Sequence, residues 1–412
     1  MKINISRLIN NLDLLHKIGN TNDGGTARLA LTNEDKLGRD FVLSLFENLN
    51  LEIKIDQIGN CFGIYKGTSN LPAFMMGSHI DTVSTGGKFD GNLGVLAAIE
   101  VIETLKENNY VPNRDIVVAF FTNEEGSRFA PDMMGSLVFD GSLSLEKALE
   151  TIGIDGTNVE SNLIEIGYKG SFNSVDYVPE YFIELHIEQG PILDKEKIDI
   201  GVVEGVQGIS WTEVTIKGVS NHAGTTPISY RKDPMIVACK TVTYIRELAS
   251  KYGKNQVGTT GFIKAKPNLV NVIPSSVTFT IDLRNTNEKL LNAFKSSVMN
   301  FIEEECKKEG VSFTSKILAD FAPVSFNDEI INLIEEETKK INLSYKKLPS
   351  GAGHDAQMLA RRSKAGMIFI PSKDGISHNP KEFSKERDIE NASNILLNIA
   401  LKLTKEIKWV EL

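Results

Sequence analysis

Seven residues able to ligate a metal ion or move a proton stand where apolar runs of this sequence stop. His79 and Asp81 follow "AFMMGS", and Asp90 lies in the glycine-flanked loop of "GSHIDTVSTGGKFDGNLG". Glu124 and Glu125 close "VVAFFTNEE", His186 lies in "YFIELHIEQG", and His378 in "GISHNP" after "GMIFIPS". Imidazoles and carboxylates without thiolates suit Zn²⁺, Mn²⁺, Co²⁺ or Ni²⁺. Two adjacent carboxylates beside a buried strand repel each other unless a cation lies near them, and a metal ion supplies that charge. Each group alone has a plainer reading. A capped turn with a hydrogen-bonded histidine explains His79 and Asp81; a solvated loop end explains Glu124 and Glu125. His186 and His378 alone read as satisfied core or surface histidines. Their recurrence at strand ends is what weakens the plainer reading, since loops there carry polar groups over a rigid base.

The elements that must position them read as alternating strands and helices. "LEIKIDQ" alternates as a strand with "NCFGIYKG" as its hairpin partner, "PAFMMGSH" and "DIVVAFFTNEE" are buried strands, and Val95 to Lys106 is a helix between them. Continuous apolar strands imply a sheet covered on both faces, an α/β layer. From about Trp211 the rhythm changes: "WTEVTIKGV", a helix ending at Gly253, "VGTTGFIKA", "SSVTFTIDLRN", a second helix ending at "KKEG", and "VSFTSKILA". That order, βαββαβ, is the ferredoxin-like split unit, inserted into the first domain. The expected organisation is a discontinuous domain of residues 1–210 and 326–412 carrying the chemistry, with an inserted domain over 211–325.

Composition removes several classes. The 412-residue chain is long enough for about two domains. Its net charge of −9 and its lack of a Lys/Arg block argue against nucleic acid or an anionic membrane as partner. Cys61, Cys239 and Cys306 lack the spacing of a thiolate zinc site or a disulfide framework. The opening residues read as an amphipathic helix (Ile5, Leu8, Ile9, Leu12, Leu15) rather than a signal peptide, and no apolar run approaches a membrane span. The expected location is cytoplasmic. His16 matches no motif and reads as a surface residue.

"GSHIDTVSTGGKFDGNLGV", "TNEEGSRF", "ELHIEQGP", "SNHAGTTPISYRKDP", "SGAGHDAQM" and "GISHNP", in this order from about residue 77 to 380, resemble the signature set of the M20 metallopeptidase-like amidohydrolases. The resemblance is to the subgroup containing N-carbamoyl-L-amino acid hydrolases, allantoate amidohydrolases and β-ureidopropionases. It implies a zinc-exopeptidase-like α/β domain, with a mixed sheet between helices, and a lid or dimerisation domain inserted into it. It also implies two divalent ions per subunit, Zn²⁺ or Mn²⁺, with Co²⁺ or Ni²⁺ as further choices. Asp90 would bridge both ions, His79 and His186 would complete one, and Glu125 and His378 the other. Asp81 would orient His79 through its carboxylate, and Glu124 would be the general base.

The inserted domain would add His222 to polarise the substrate oxygen, and Asn271 and Arg284 to bind a substrate carboxylate. Without the resemblance, His222 reads as a loop histidine capping "AGTTP" and Arg284 as a sheet-edge ion pair. Gln189 and the backbone at Gly353 match substrate-contacting positions, and Arg231 is a weaker candidate. Gln189 also reads as a residue fixing the loop after His186. His354 and Asp355 read first as capping and orienting the helix that follows. The implied reaction is hydrolysis of a linear ureido amide, first an N-carbamoyl-L-amino acid to amino acid, CO₂ and NH₃. Allantoate or N-carbamoyl-β-alanine stands as the alternative substrate. A dipeptidase or aminoacylase, and an inactive metal-binding scaffold, are the competing classes. A homodimer is implied, with His222 and also Asn271 and Arg284 completing the partner's site.

Overall fold

The computed structural model describes residues 1–253 and 256–405, so the last seven residues of the expected first domain lie outside it. The chain forms two compact units, one of residues 1–204 and 326–412 and one of residues 205–325. The sequence places the first crossing at 210/211, which falls inside the strand Gly208–Lys217. A single residue, Gln207, separates that strand from Ile200–Val206, so no loop or composition change marks the crossing.

Four strands at the heart of the larger unit run parallel, in the order Ile116–Phe121, Phe74–His79, Tyr181–Ile187, Lys364–Ile370. The first three are buried along their whole length, as their unbroken apolar runs require of strands covered on both faces. The hairpin Glu52–Ile55 and Cys61–Tyr65 pairs antiparallel on one side, and Ile200–Val206 pairs antiparallel on the other. The helix Asn92–Glu107 returns the chain from one central strand to the next, almost entirely buried. Helix Ile5–Lys17 adds Leu8, Leu12 and Leu15 at helical spacing, and Glu386–Leu403 adds a long apolar face. Parallel strands end on a common edge, which gathers His79, the Glu124–Glu125 turn, His186 and the loop to His378.

The smaller unit is an antiparallel sheet in the order Ile263–Lys266, Ser276–Asn285, Gly208–Lys217, Ser312–Phe321. Its helices are Pro234–Tyr252, capped by Asp233, and Glu288–Glu309, capped by Asn287 and ended by Gly310 at φ +68°. Along Ser276–Asn285 the inward residues Val277, Phe279, Ile281 and Leu283 alternate with half-exposed ones. They pack with Phe294, Val298 and Ile302 of the second helix in one core. Truncating Phe294 to alanine there costs about 3–5 kcal/mol. The stretch "VGTTGFIKA" forms two short strands, Val257–Thr259 and Ile263–Lys266, rather than one, with residues 260–262 between them. A further small ladder, Asn221–His222 with Val272–Ile273, has no alternating pattern to announce it.

Candidate metal centre

Asp90 stands at the middle of the gathered edge. Its Oδ1 lies 3.3 Å from His186 Nε2 and 3.6 Å from His79 Nε2, and its Oδ2 lies 3.3 Å from His378 Nε2. His378 Nε2 is also 3.3 Å from Glu125 Oε2. Two sets therefore share this aspartate, His79/Asp90/His186 and Asp90/Glu125/His378, each with its ligand atoms within 4.8 Å of one another. His79, Asp90 and His186 are buried, while the His378 side chain is 48% exposed and forms the open side. Glu124 belongs to neither set: it is buried, with Oε2 3.4 Å from His79 Nε2.

Local structure explains the aim of each group. Gly91, at φ +67°, turns the chain into the following helix, and a Cβ there would fall 2.4 Å from the His79 ring. His186 Nδ1 is held by the Ile187 carbonyl at 2.9 Å, which points Nε2 at Asp90. His79 Nδ1 is held by the Asp81 carbonyl at 2.9 Å, not by the Asp81 carboxylate that the sequence reading assigned to it. That carboxylate instead accepts the backbone N–H groups of Glu124 and Glu125 at 3.2 and 3.3 Å. Two residues from His79 the carbonyl already fits the ring, so the side chain is free to fix the neighbouring turn. His378 has φ +53° and Gln189 φ +56°, conformations that cost energy in a residue with a Cβ and that aim both side chains at Asp90.

The electrostatics match a cation. Burial works against the charge of Asp90, but hydrogen bonds from His186, His378 and His79 hold it well below the usual carboxylate range. Burial and Asp90 push Glu125 up to about 8. Burial raises Glu124 well above its usual value, with Asp355 and Glu125 adding to the effect against the attraction of His79. His79 is raised despite its burial, by Glu124 and Asp90, and His378 is raised to about 9, chiefly by Asp90. Carboxylates and imidazoles crowded in this way make a candidate donor set for a divalent ion.

Gln189 does face the centre: its Nε2 donates to Asp90 Oδ2 at 2.8 Å, and its Oε1 is buried without a partner among the described residues. Gly353 lines the same cleft as Asp90, Glu124, Glu125, Gln189 and His378. His354 starts the helix Asp355–Leu359 without a side-chain cap, and its Nε2 pairs with Ser350 Oγ at 2.9 Å. Arg231 spends its guanidinium on the carbonyls of Ala223 and Thr226, stapling the His222 loop. His16 is half-buried, with Nδ1 2.7 Å from Thr26 Oγ1, rather than a free surface residue.

His222 and Asn271 adjoin across the small ladder of the second unit, where Ala223 N–H donates to the Asn271 carbonyl at 3.0 Å. Both are exposed. Arg284 lies on Ser276–Asn285 with its Nη2 3.0 Å from Asp282 Oδ2.

Three residues went unnoticed in the sequence. Arg28, fully buried, donates to the Ile80 carbonyl and to Asn92 Oδ1, both at 2.7 Å, and so ties the His79 loop to the Asp90 loop. Burial lowers it to about 10. Ser377 and Glu382 hold Asp90 from the His378 side. Their signal was contiguity with His378 in "GISHNPKEFS".

The chain as a whole is matched by known proteins. The model of peptidase family M20/M25/M40 matches residues 75–402, and the chain belongs to that family. Within it, the chain is 35% identical to an N-carbamoyl-L-amino acid amidohydrolase of Geobacillus stearothermophilus over 97% of this chain and 98% of that one. It is 34% identical to an allantoate amidohydrolase of Bacillus subtilis (strain 168), over 95% and 96% of the two chains. The crystal structure of a hydantoinase/carbamoylase family amidase from Burkholderia multivorans superposes with a TM-score of 0.96 at 36% identity, covering 98% of this chain and 99% of that one. Among the described residues no helix is long and apolar enough to cross a membrane.

Proposed function

We infer that this chain is an amidohydrolase acting on ureido C–N bonds, and that its substrate is an N-carbamoyl-L-amino acid, converted to the free amino acid, CO₂ and NH₃. The observation that carries the reading is Asp90 with a separate set of ligand atoms at each of its oxygens. The relatives named for N-carbamoyl-L-amino acids and for allantoate supply the substrate class.

Two divalent ions, Zn²⁺ or Mn²⁺, held by His79, Asp90 and His186 and by Asp90, Glu125 and His378, would polarise the ureido carbonyl and acidify the attacking water. Glu124 takes the proton from that water and returns it to the leaving nitrogen, a role open to it because it sits outside both ligand sets. Burial, which raises its proton affinity, keeps it suited to hold a proton between the two transfers. Gln189 accepts the ureido N–H through the Oε1 that has no partner among the described residues. His222, exposed in its loop, donates to the carbonyl oxygen as charge develops there, and Arg284 with Asn271 binds the substrate carboxylate. These three residues complete the site of a second subunit in a homodimer.

The test is kcat/KM of the ion-loaded enzyme on N-carbamoyl-L-methionine, N-carbamoyl-β-alanine, allantoate, an N-acetyl amino acid and a dipeptide. The N-carbamoyl-L-amino acid is expected to lead. A lead for allantoate moves the assignment within the class, and a lead for the dipeptide or acetyl substrate moves it out. No cleavage of any ureido compound with ions bound overturns it.

A further inference from the structure

Asp90 sits in a loop rich in glycine, Gly86 to Gly91, whose backbone has little stiffness of its own. One side chain from a distant part of the sequence braces the end of the loop that carries Asp90. Glu382 Oε1 accepts the backbone N–H of Phe89 at 2.8 Å and of Asp90 at 3.2 Å. Its Oε2 lies 3.1 Å from Ser377 Oγ, which in turn lies 3.0 Å from Asp90 Oδ2. Glu382 thus holds the Asp90 backbone directly and shares with the Asp90 carboxylate the hydroxyl of Ser377, whose single proton goes to one of the two at a time. Glu382 is 6% exposed, and a Cβ on Gly87 would fall 2.3 Å from its Oε1, so the loop's glycine makes room for the grip. Glu382 N–H also closes a turn onto the Asn379 carbonyl at 2.9 Å, in the segment that carries His378.

We propose that Glu382, acting through Ser377, is a positioning residue that sets the spacing of Asp90 and His378 and thereby governs the Asp90/Glu125/His378 ion position more than the His79/Asp90/His186 position. The asymmetry follows from which oxygen each contact touches. Ser377 meets Oδ2, the oxygen that faces His378, whereas Oδ1 faces His79 and His186, whose rings are fixed by the carbonyls of Asp81 and Ile187. Glu382 therefore bears on one position through the loop backbone, the hydroxyl and the His378 turn, and on the other through the loop backbone alone. Groups that orient metal ligands from behind typically carry about 10–100-fold in metal affinity.

The inference rests on the two-ion reading above, and the experiment separates the two. Purified protein is stripped with a chelator and titrated with Mn²⁺ by calorimetry, with metal content after dialysis as a second measure. Wild type is expected to take two ions. Glu382→Ala should bind one within a few-fold of wild-type affinity and the other about tenfold or more weakly. Glu382→Gln should restore that affinity to within a few-fold, because its Oε1 still accepts both N–H groups and its amide can donate to Ser377 Oγ. Circular dichroism and thermal unfolding monitor the fold. If Glu382→Ala does not fold, Ser377→Ala decides in its place, with the same position weakened by a few-fold. Unchanged affinities, or equal weakening of both positions, overturn the proposal. Wild type that takes fewer than two ions overturns the two-ion reading instead.

Discussion

The two units hold most of their proposed functional residues in contrasting ways. In the larger unit His79, Asp90, Glu124 and His186 are buried, and each is fixed by at least one neighbour before any substrate arrives. In the smaller unit His222 and Asn271 are exposed, on and beside the two-residue ladder Asn221–His222 with Val272–Ile273, while Arg284 is half-buried on its strand. His222 Nδ1 accepts the N–H groups of Gly224 and Thr225 at 3.0 and 3.2 Å, so in the neutral ring Nε2 carries the proton. Ion chemistry needs several donors within a few tenths of an ångström, so it is built into a rigid strand edge. Recognition of a substrate's oxygen and carboxylate needs groups that arrive with the substrate, and an exposed position permits that.

The sharpest break of this contrast is at Asp90. Asp90→Ala removes an oxygen from both ligand sets, and both ions and all turnover should be lost together, checked by metal analysis and kcat on one preparation. Retention of one ion at wild-type affinity would show that the sets do not share their central ligand. Next in size is Glu124→Gln, which should keep both ions yet lower kcat by about 10²–10⁴, the range for a positioned general base. A near-normal kcat would take the proton-transfer role away from it.

On the other side of the comparison, His222→Ala should leave metal content untouched and lower kcat by about 10²–10³, as loss of an oxyanion donor does. Mixing it with Glu124→Gln sharpens the point. If His222 serves the neighbouring subunit, subunit exchange between two inactive variants creates one intact site per mixed dimer, and activity should appear on mixing. No recovery after exchange verified by mass would place His222 and Glu124 of the same subunit in one site. Arg284→Lys is smaller still: about a tenfold rise in KM with kcat nearly kept, because lysine retains the charge but not the two parallel N–H groups.

What the sequence made legible divides along the same line. Apolar runs ending in His79, Glu124–Glu125 and His186 announce both the buried strands and the chemistry at their ends, because burial on both faces leaves a continuous hydrophobic trace. The βαββαβ order was equally readable from the alternation in Ser276–Asn285 and the capped helices beside it. Contacts made by backbone atoms leave no such trace. Nothing in "SHID" tells whether the Asp81 carbonyl or carboxylate holds His79, and the carbonyl does. Arg28 and Glu382 were missed for a related reason: each acts on peptide groups far along the chain, Ile80 for one and Phe89 and Asp90 for the other. Their residue types alone carry no periodicity and no motif of metal ligands.

The smallest effect concerns the larger unit without its ions. In the folded chain Glu125 holds its proton up to about 8 and His378 up to about 9, against ordinary values of 4.5 and 6.5. Both folded values are raised, so the folded state binds more protons than the unfolded state between 4.5 and 8 for Glu125 and between 6.5 and 9 for His378. The stability these groups contribute is therefore present at low pH and lost as pH rises through those windows. Chelator-treated protein should show a thermal midpoint that falls by about a few degrees from neutral to mildly alkaline pH, the shift expected of a modest change in stability for a chain of this size. Ions displace the same protons and take over their role of neutralising the carboxylates, so the ion-loaded protein should show a flatter curve and a higher midpoint throughout. The same competition makes ion affinity rise with pH over that range. A midpoint that climbs with pH in the chelated protein would mean that the carboxylates of this cluster are already neutralised by groups of the chain itself, and the case for a cation at Asp90 would lose its electrostatic support.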